Sequence, residues 1–447
     1  MSSFGKTWFV LSLALLSFGY GFAAHAWDWF PKTHLQRAWR QAQAFYGGTG
    51  GMVEQVYDRS GARTVDSSAV QPGMTLVTSY WARGKDDRPT PGARLIDQQG
   101  RVMHEWHPDI DTLFQRSDIR GGRDPRKADF DGSYLFPNGD LLLILEYIGA
   151  VRLDACGRAN WRLRKGAHHY LSRAEDGSFW IPGISAERRT TTAKYPDGFP
   201  GIEKPVWLDQ ILHVSAEGEV LSTTNVLDLL YENGLERHLV KALKPYPDEV
   251  PNDPVHLNNV EPLESSMAAA YPLFEAGDLL VSLRHPSLVF VFDPKTGRVK
   301  WHASHPFLHQ HDPDFTGDGW IGVFDNNADL TERGTMLGGS RIVFLQPHTD
   351  SVEVRFPTPR SDPLYTSVQG QWQLLASGNM LLTETNAGRV VEVGPDGRTV
   401  WEWIRKPHDA SETAIVTGAS RYALTREQVA SWPCSSADSG RRSAREK

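Results

Sequence analysis

A recurring spacing of glycine and tryptophan constrains this chain more than any other feature of it. Ser133 to Arg162 turns at Asn138-Gly139, continues as the apolar run Leu141 to Ile144, then reaches Asp154, Gly157 and Trp161. Pro272 to His302 turns at Ala276-Gly277, continues through Leu279 to Val281, then reaches Asp293, Gly297 and Trp301. Thr366 to Trp403 turns at Ser377-Gly378, continues through Met380 to Leu382, then reaches Asp396, Gly397 and Trp401. In all three the Trp follows the second Gly by four residues. Each stretch reads as four short strands joined by glycine turns. Looser copies run from His168 to Thr224 and from His309 to Phe356, and a partial copy spans Ala93 to Trp106. A four-stranded unit repeated about six times predicts an all-β chain folded as a six-bladed β-propeller. A sandwich or a simple barrel would not repeat the turn-and-Trp register.

Composition agrees with many turns and much aromatic packing: the 447 residues include 40 Gly, 28 Pro and 15 Trp. A net charge of −7 argues against a nucleic-acid protein, because phosphate binding needs a basic face. Cys156 and Cys434 fit no metal or haem spacing, and whether they pair is left open by the sequence.

The N-terminus reads as an export signal. Lys6 precedes an uncharged, mostly apolar run from Thr7 to Ala24, and Ala24-His25-Ala26 is an acceptable cleavage site. The run is also nearly long enough to span a bilayer, so residues 1–26 are either a cleaved signal or a membrane anchor. Both place the body outside the cytoplasm, in the periplasm. Residues 27–74 form a helical and irregular segment, with an amphipathic helix expected over 33–46. The propeller is expected over 75–425, with short helical insertions that include Val226 to Ala242. The polar tail 433–447 is expected to be disordered.

The repeat also places the polar residues. First strands of propeller blades line the central channel, so equivalent positions converge at its mouth. His311 lies eight residues before Gly319, and His169 lies eight residues before Gly177. His256 opens the inner strand of the blade between them, with its register blurred by the insertion Ser265 to Tyr271. Arg284 follows Gly277 by seven residues and Asn326 follows Gly319 by seven, so both return to the same end. A single strand histidine is ordinarily structural, but three at matching places gather into one mouth. Asp325 and Asn326 read as turn formers and supporting partners rather than catalysts. His168, His302, His305 and His309 read as structural or rim residues, with His309 the rival of His311. Trp161, Trp301 and Trp401 read as blade packing.

Three imidazoles suit a metal. They equally suit transfer of an anionic group, and Arg284 favours that second use, because a guanidinium repels a divalent cation and pairs with sulfuryl or phosphoryl oxygens. A neutral imidazole can attack a sulfuryl centre while other donors hold its oxygens.

At these residues the chain resembles the bacterial arylsulfate sulfotransferases, six-bladed propellers that work without a nucleotide sulfate donor. The resemblance rests on His168-His169 ahead of an Asp-Gly turn, on Asp253 to Asn258, on Val281 to His285, and on Gln310-His311 followed by Val323 to Asn326. It implies that His311 is the nucleophile, sulfurylated in turn by an aryl sulfate and relieved by a phenol. It also implies that His169, His256 and Arg284 hold the sulfuryl oxygens and assist proton transfer, with Asn326 beside them. Small aryl sulfates and phenols would be the partners, with no cofactor and no metal. The chain is too short for the extra N-terminal β-domain of the best-known members, which leaves its oligomeric state open. Two other readings use the same mouth: a non-catalytic propeller that recognises an anionic ligand or protein partner, and a metal-assisted hydrolase.

Overall fold

The computed structural model describes residues 3–26, 51–54, 56–81, 89–114, 128–240, 253–329, 331, 333–408 and 412–434. The chain divides into two units, Met1–Gly50 and Gly51–Lys447. In the first, Ser3–Ala26 is a single helix carrying the apolar run. No helix among the described residues is long and apolar enough to cross a membrane. The helix expected over 33–46 and residues 435–447 of the tail lie outside the described residues.

The second unit is a six-bladed propeller, each blade built on four antiparallel strands. Blade 2 runs Phe130–Leu135, Leu141–Leu145, Gly149–Leu153 and Ala159–Leu163 from the axis outward. Blade 3 runs Ser172–Arg173, Phe179–Ile184, Asp209–Val214 and Val220–Asn225. Blade 4 runs Leu257–Pro262, Leu279–Leu283, Leu288–Asp293 and Arg298–Ala303. Blade 5 runs His311–Phe315, Ile321–Asp325, Arg341–Gln346 and Ser351–Phe356. Blade 6 runs Gln371–Leu374, Met380–Glu384, Arg389–Val393 and Thr399–Ile404, with Gly61–Thr64 added at its outer edge.

Two kinds of residue make this pattern. The second and third strands are runs of Leu, Val, Ile and Phe buried on both faces, as in Leu141–Leu145 and Leu279–Leu283, because each blade is packed between two others. The hairpin tips need a left-handed residue, and Gly177, Gly277 and Gly319 sit there with φ of 88°, 88° and 89°. Trp161 lies over the backbone of Gly218 in the next blade, and Trp401 is fully buried, so both serve packing.

Blade 1 closes the ring. Its outer strands are Met74–Trp81, Thr90–Ile96 and Val102–Trp106, but its inner strand, Val416–Tyr422, comes from the other end of the chain. Tyr422 pairs with Met74 and Val416 with Ser79. The sequence pattern caught only Ala93 to Trp106 here, because a closure between distant strands has no hairpin turn to mark it. Beyond the closure, Trp432 packs against His104 and Trp106 and donates its indole N–H to Pro137 O at 2.9 Å. Cys434 then forms a disulfide with Cys156 of blade 2.

The helix expected over Val226 to Ala242 is shorter. It spans Val226–Glu232, and a 3₁₀ turn follows at Glu236–Leu239. Asn233 caps its end, and Gly234 takes a φ of 67°, which breaks the helix there. Val226, Leu227, Leu229 and Leu230 are buried in a cluster with Leu208 of blade 3 and Leu257 and Leu283 of blade 4.

The disulfide ties the closing segment to blade 2 across 278 residues of chain. A double Cys156→Ser, Cys434→Ser variant is expected to lose about 2–5 kcal/mol of stability. Urea unfolding should show a lowered midpoint for this variant and the same drop for reduced wild type. An unchanged midpoint would mean that strand pairing alone holds the ring shut.

Candidate active site

His311 opens the inner strand of blade 5 and is 1% exposed. Its main chain is held from both sides. Asn258 of blade 4 donates its side-chain N–H to Gln310 O at 2.7 Å. On the other side the Trp372 main-chain N–H of blade 6 reaches Asp312 Oδ2 at 2.9 Å, and the Trp372 indole reaches Asp312 O at 2.8 Å.

The ring of His311 is oriented by Asn326. The Asn326 amide nitrogen donates to Thr366 O at 2.9 Å and to Gln369 O at 2.7 Å, so its oxygen must face the other way. That oxygen lies 2.7 Å from His311 Nδ1. Nδ1 is therefore the protonated nitrogen, and Nε2 keeps the lone pair. Asp325 supports this corner, accepting from Leu308 N and Asn327 N and pairing with Arg341.

The rings of His169 and His311 lie 6.1 Å apart and nearly parallel, and those of His169 and His256 lie 4.9 Å apart edge to face. Arg284 N donates to His256 O at 3.0 Å, which brings the Arg284 side chain to the same end, where it reaches Ser367 O at 3.5 Å. The structure thus gathers His169, His256, Arg284, His311 and Asn326 at one mouth. His169 and His256 have φ of 57° and 53°, a left-handed conformation that costs a non-glycine residue about 1–2 kcal/mol.

Counting from the innermost hairpin pair of each blade settles the register. His169 precedes Arg173 by four residues and His311 precedes Phe315 by four, where Arg173 pairs with Phe179 and Phe315 with Ile321. His256 precedes Pro262 by six residues, which pairs with Leu279, so it matches His309 rather than His311. An irregularity between Leu257 and Asn259 nonetheless carries the His256 ring to His169. His309 is only partly buried, and its main-chain N–H reaches Ser287 Oγ at 3.2 Å.

Several partners were not read from the sequence. His256 Nδ1 is 2.6 Å from Asp253 Oδ2, and His285 Nδ1 is 2.7 Å from Asp253 O. His168 Nδ1 is 2.8 Å from His169 Nδ1, and His168 Nε2 is 3.3 Å from Asp209 Oδ1. Adjacency to His169 and to His256 was the available signal for His168 and Asp253. Asp209 had none, since it opens the third strand of blade 3 after the long insertion. On the opposite side of the mouth Gln369 of blade 6 donates to Asp129 Oδ2 and Asp131 Oδ1 of blade 2 at 3.1 and 2.9 Å.

Burial sets the protonation of the imidazoles. Burial, then Arg284, holds His311 well below the usual imidazole range, although its bond to Asn326 pulls upward. Burial, then His256, His168 and His311, does the same to His169. Both are neutral at physiological pH. Burial also lowers Arg284, opposed by Asp253 and Tyr147. Asp253 stays ionised: burial works against it, but His256 and His285 outweigh that and lower its carboxyl. Burial, then the charge of Asp253, pushes Asp209 far up, so it carries a proton.

Among the described residues, Asp253, His256 and His285 have their donor atoms within 4.8 Å of one another, a spacing compatible with a metal ion. The Nδ1 atoms of both histidines are already engaged by Asp253 itself, and Arg284 stands next in sequence. This donor set suits proton handling beside an anion better than a divalent cation.

A model of the arylsulfotransferase (ASST) family matches residues 149–406, more than half of the chain. No curated protein matches the chain. Among solved structures, a protein of unknown function from Bacteroides caccae is 15% identical, with 78% of this chain and 98% of that one covered and a TM-score of 0.48. A streptogramin B lyase is 11% identical, with 78% and 88% covered and a TM-score of 0.39.

The pH dependence follows from the buried rings. The unfolded chain takes up protons on histidine near pH 6.5, whereas burial, then Arg284 and His285, holds His309 down to about 4. The stability this neutral ring contributes is complete above about pH 6.5 and is lost as pH falls towards 4. Denaturation midpoints measured across that window should fall with pH, and a His309→Gln variant should fall less steeply. Equal slopes would contradict the buried, neutral assignment.

Proposed function

The chain belongs to the arylsulfotransferase (ASST) family, and from that premise we propose that it moves a sulfuryl group from an aryl sulfate ester to a phenol through a sulfo-histidine at His311. The carrying observation is the Asn326 amide, pinned by Thr366 O and Gln369 O, which fixes His311 with its proton on Nδ1. An imidazole so held presents the Nε2 lone pair without rearrangement, and its depressed basicity keeps that lone pair available into acid.

In the first half-reaction Nε2 attacks sulfur. The N–S bond forms as the S–O bond to the ring breaks, and the phenolate leaves with the electron pair and takes a proton from a neighbouring imidazole. In the second, an incoming phenol oxygen attacks the same sulfur, its proton passes to that imidazole, and the pair returns to Nε2. Arg284 supplies positive charge for the sulfuryl oxygens, with His169 and His256 as further donors. Arg284, partly exposed beside a buried His311, is placed to meet an anion entering from solvent.

Export to the periplasm is part of the proposal. It is supported by the uncharged run after Lys6 within the helix Ser3–Ala26 and by the Cys156–Cys434 disulfide, which suits an oxidising compartment.

Incubating the purified protein with an aryl sulfate and a phenol is expected to give sulfated acceptor, unaffected by chelator. His311→Asn should lower the rate roughly a thousandfold or more. Mass spectrometry after donor alone should find one sulfuryl group on His311 and none on His309. Absence of phenol release from every aryl sulfate tried would sink the proposal, and loss on chelation would favour metal chemistry. Asn326→Leu removes the acceptor that orients His311 and should cost about 1–3 kcal/mol of transition-state stabilisation, read as a fall in kcat at near-constant KM.

A further inference from the structure

Three consecutive residues, where the second strand of blade 5 ends, each hold a different segment of chain. Asp325 accepts the Leu308 main-chain N–H at 2.8 Å. Asn326, which orients His311, donates to Gln369 O at 2.7 Å. Asn327 donates to Leu337 O at 3.0 Å and to Gly339 O at 2.9 Å. Each segment carries a large apolar side chain in water. Leu308 is 38% exposed, Val368, beside Gln369, is 43% exposed, and Leu337 and Met336 are 50% and 65% exposed. Single exposed apolar residues are ordinary on a protein surface. These four differ because their segments share one three-residue hub, and the middle residue of that hub sets the ring of His311.

Their main chains are fixed although their side chains are uncovered. Met336 N and Leu337 N both donate to Asp329 Oδ2, at 2.7 and 3.2 Å. Gly334 lies so close to the Tyr365 ring that a Cβ there would stand 2.6 Å from it. Ser340 ends the loop, donating to Asn326 O at 3.1 Å and accepting from Thr366 N at 3.1 Å. The loop is thus seated on residues 364–366, and the next three residues reach the site. Ser367 O lies 3.5 Å from Arg284 Nη2, and Val368 stands between Ser367 and Gln369. A cation for an oxyanion and an exposed apolar side chain are therefore one residue apart.

We propose that Leu308, Val368, Met336 and Leu337 form an apolar lip that takes the aromatic body of the substrate, and that this body extends beyond one ring. The lip rests on the sulfotransferase reading and names the substrate class of the same site. Its occupant is an amphiphile, anionic where Arg284 stands and apolar beside it. An aryl sulfate has that form, whereas a small inorganic anion would leave the lip uncovered. With its sulfuryl group at Arg284, a single ring meets the side chains next to the site, Val368 and Leu308. Met336 and Leu337 belong to the layer beyond, the loop that Asn327 rather than Asn326 holds. A second ring, or an apolar group of similar size, covers them.

The test uses the full-length protein with two donors, phenyl sulfate and biphenyl-4-yl sulfate. Their phenols are of similar basicity, so the chemical step is matched. Wild type should favour the biphenylyl donor in kcat/KM by about tenfold or more. A double Met336→Ser, Leu337→Ser variant, altered only at exposed positions, should lose most of that preference. The loss should be read as a raised KM for the biphenylyl donor at near-constant kcat, because contacts made equally in ground and transition state act on KM. A wild type with equal kcat/KM for both donors, or a double variant that keeps the preference, overturns the lip. Loss of self-association in the double variant with the preference intact overturns it too, and assigns the patch to contact between copies. A wild type that turns over neither donor overturns the sulfotransferase reading itself. Calorimetry with the same two sulfates then judges the lip alone: tighter binding of the biphenylyl ester, lost in the double variant, upholds it, and equal binding removes it.

Discussion

The hydrogen bonds on either side of His311 are the constraint on which the site depends. Asn258 of blade 4 and Trp372 of blade 6 hold the main chain at Gln310 and Asp312, so three blades fix one residue. Asn326 then fixes the ring, itself fixed by two carbonyls leading into blade 6. Asn258 and Trp372 lie in other blades, so the position of the His311 main chain is a property of the assembled ring, whereas Asn326 orients its ring from within the same hairpin. Opening the ring at the Val416–Tyr422 strand would release blade 1 from one side and, through its neighbours, loosen the clamp.

The same closure supports strain at the mouth. His169 and His256 adopt left-handed backbone where the chain enters an inner strand, and Gln369 does so at φ 52° in blade 6. Each costs about 1–2 kcal/mol, small beside the packing of strands buried on both faces, as at Leu279–Leu283. The consequence is directional. A residue in this conformation turns its side chain off the regular alternation of the strand, and the His169 and His256 rings meet despite a two-residue difference in register. Strain here buys convergence that ideal strands would not give.

How far the sequence reveals this protein depends on the range of each interaction. Hairpins are local, and Gly177, Gly277 and Gly319 announce them because only glycine takes that turn freely. From those turns follow the blade count and the end of the channel at which His169, Arg284 and His311 emerge. Ring closure is not local: Tyr422 meets Met74 with no turn between them, and only half of blade 1 was legible. The insertion Ser265 to Tyr271 hid the register of His256, which emerges only from the pairing of Pro262 with Leu279. The Cys156–Cys434 bridge was one possibility among two, since pairing needs proximity that spacing does not encode. Asp209 was invisible for the same reason, its partners His168 and Asp253 lying across one insertion and in the next blade.

The distribution of charge across the mouth explains why neutral histidines and a sulfate ester belong together. Blades 3 to 5 contribute His169, His256, Arg284 and His311, whereas blade 2 faces them with Asp129, Asp131 and Glu146. Carboxylates so placed would repel a sulfate if all were ionised. Burial, then Glu146 and Asp129, pushes Asp131 far up, so it is protonated and sheds its charge. Gln369 of blade 6 donates to both Asp129 and Asp131. The cationic side keeps its guanidinium: burial lowers Arg284, but Asp253 and Tyr147 oppose that, and a guanidinium starts far above neutral pH. The buried His169 and His311, held below the usual imidazole range, add no competing positive charge and keep their lone pairs. An anion is therefore drawn towards Arg284 while His311 beside it stays uncharged, which is the combination the proposed nitrogen nucleophile needs at an anionic centre.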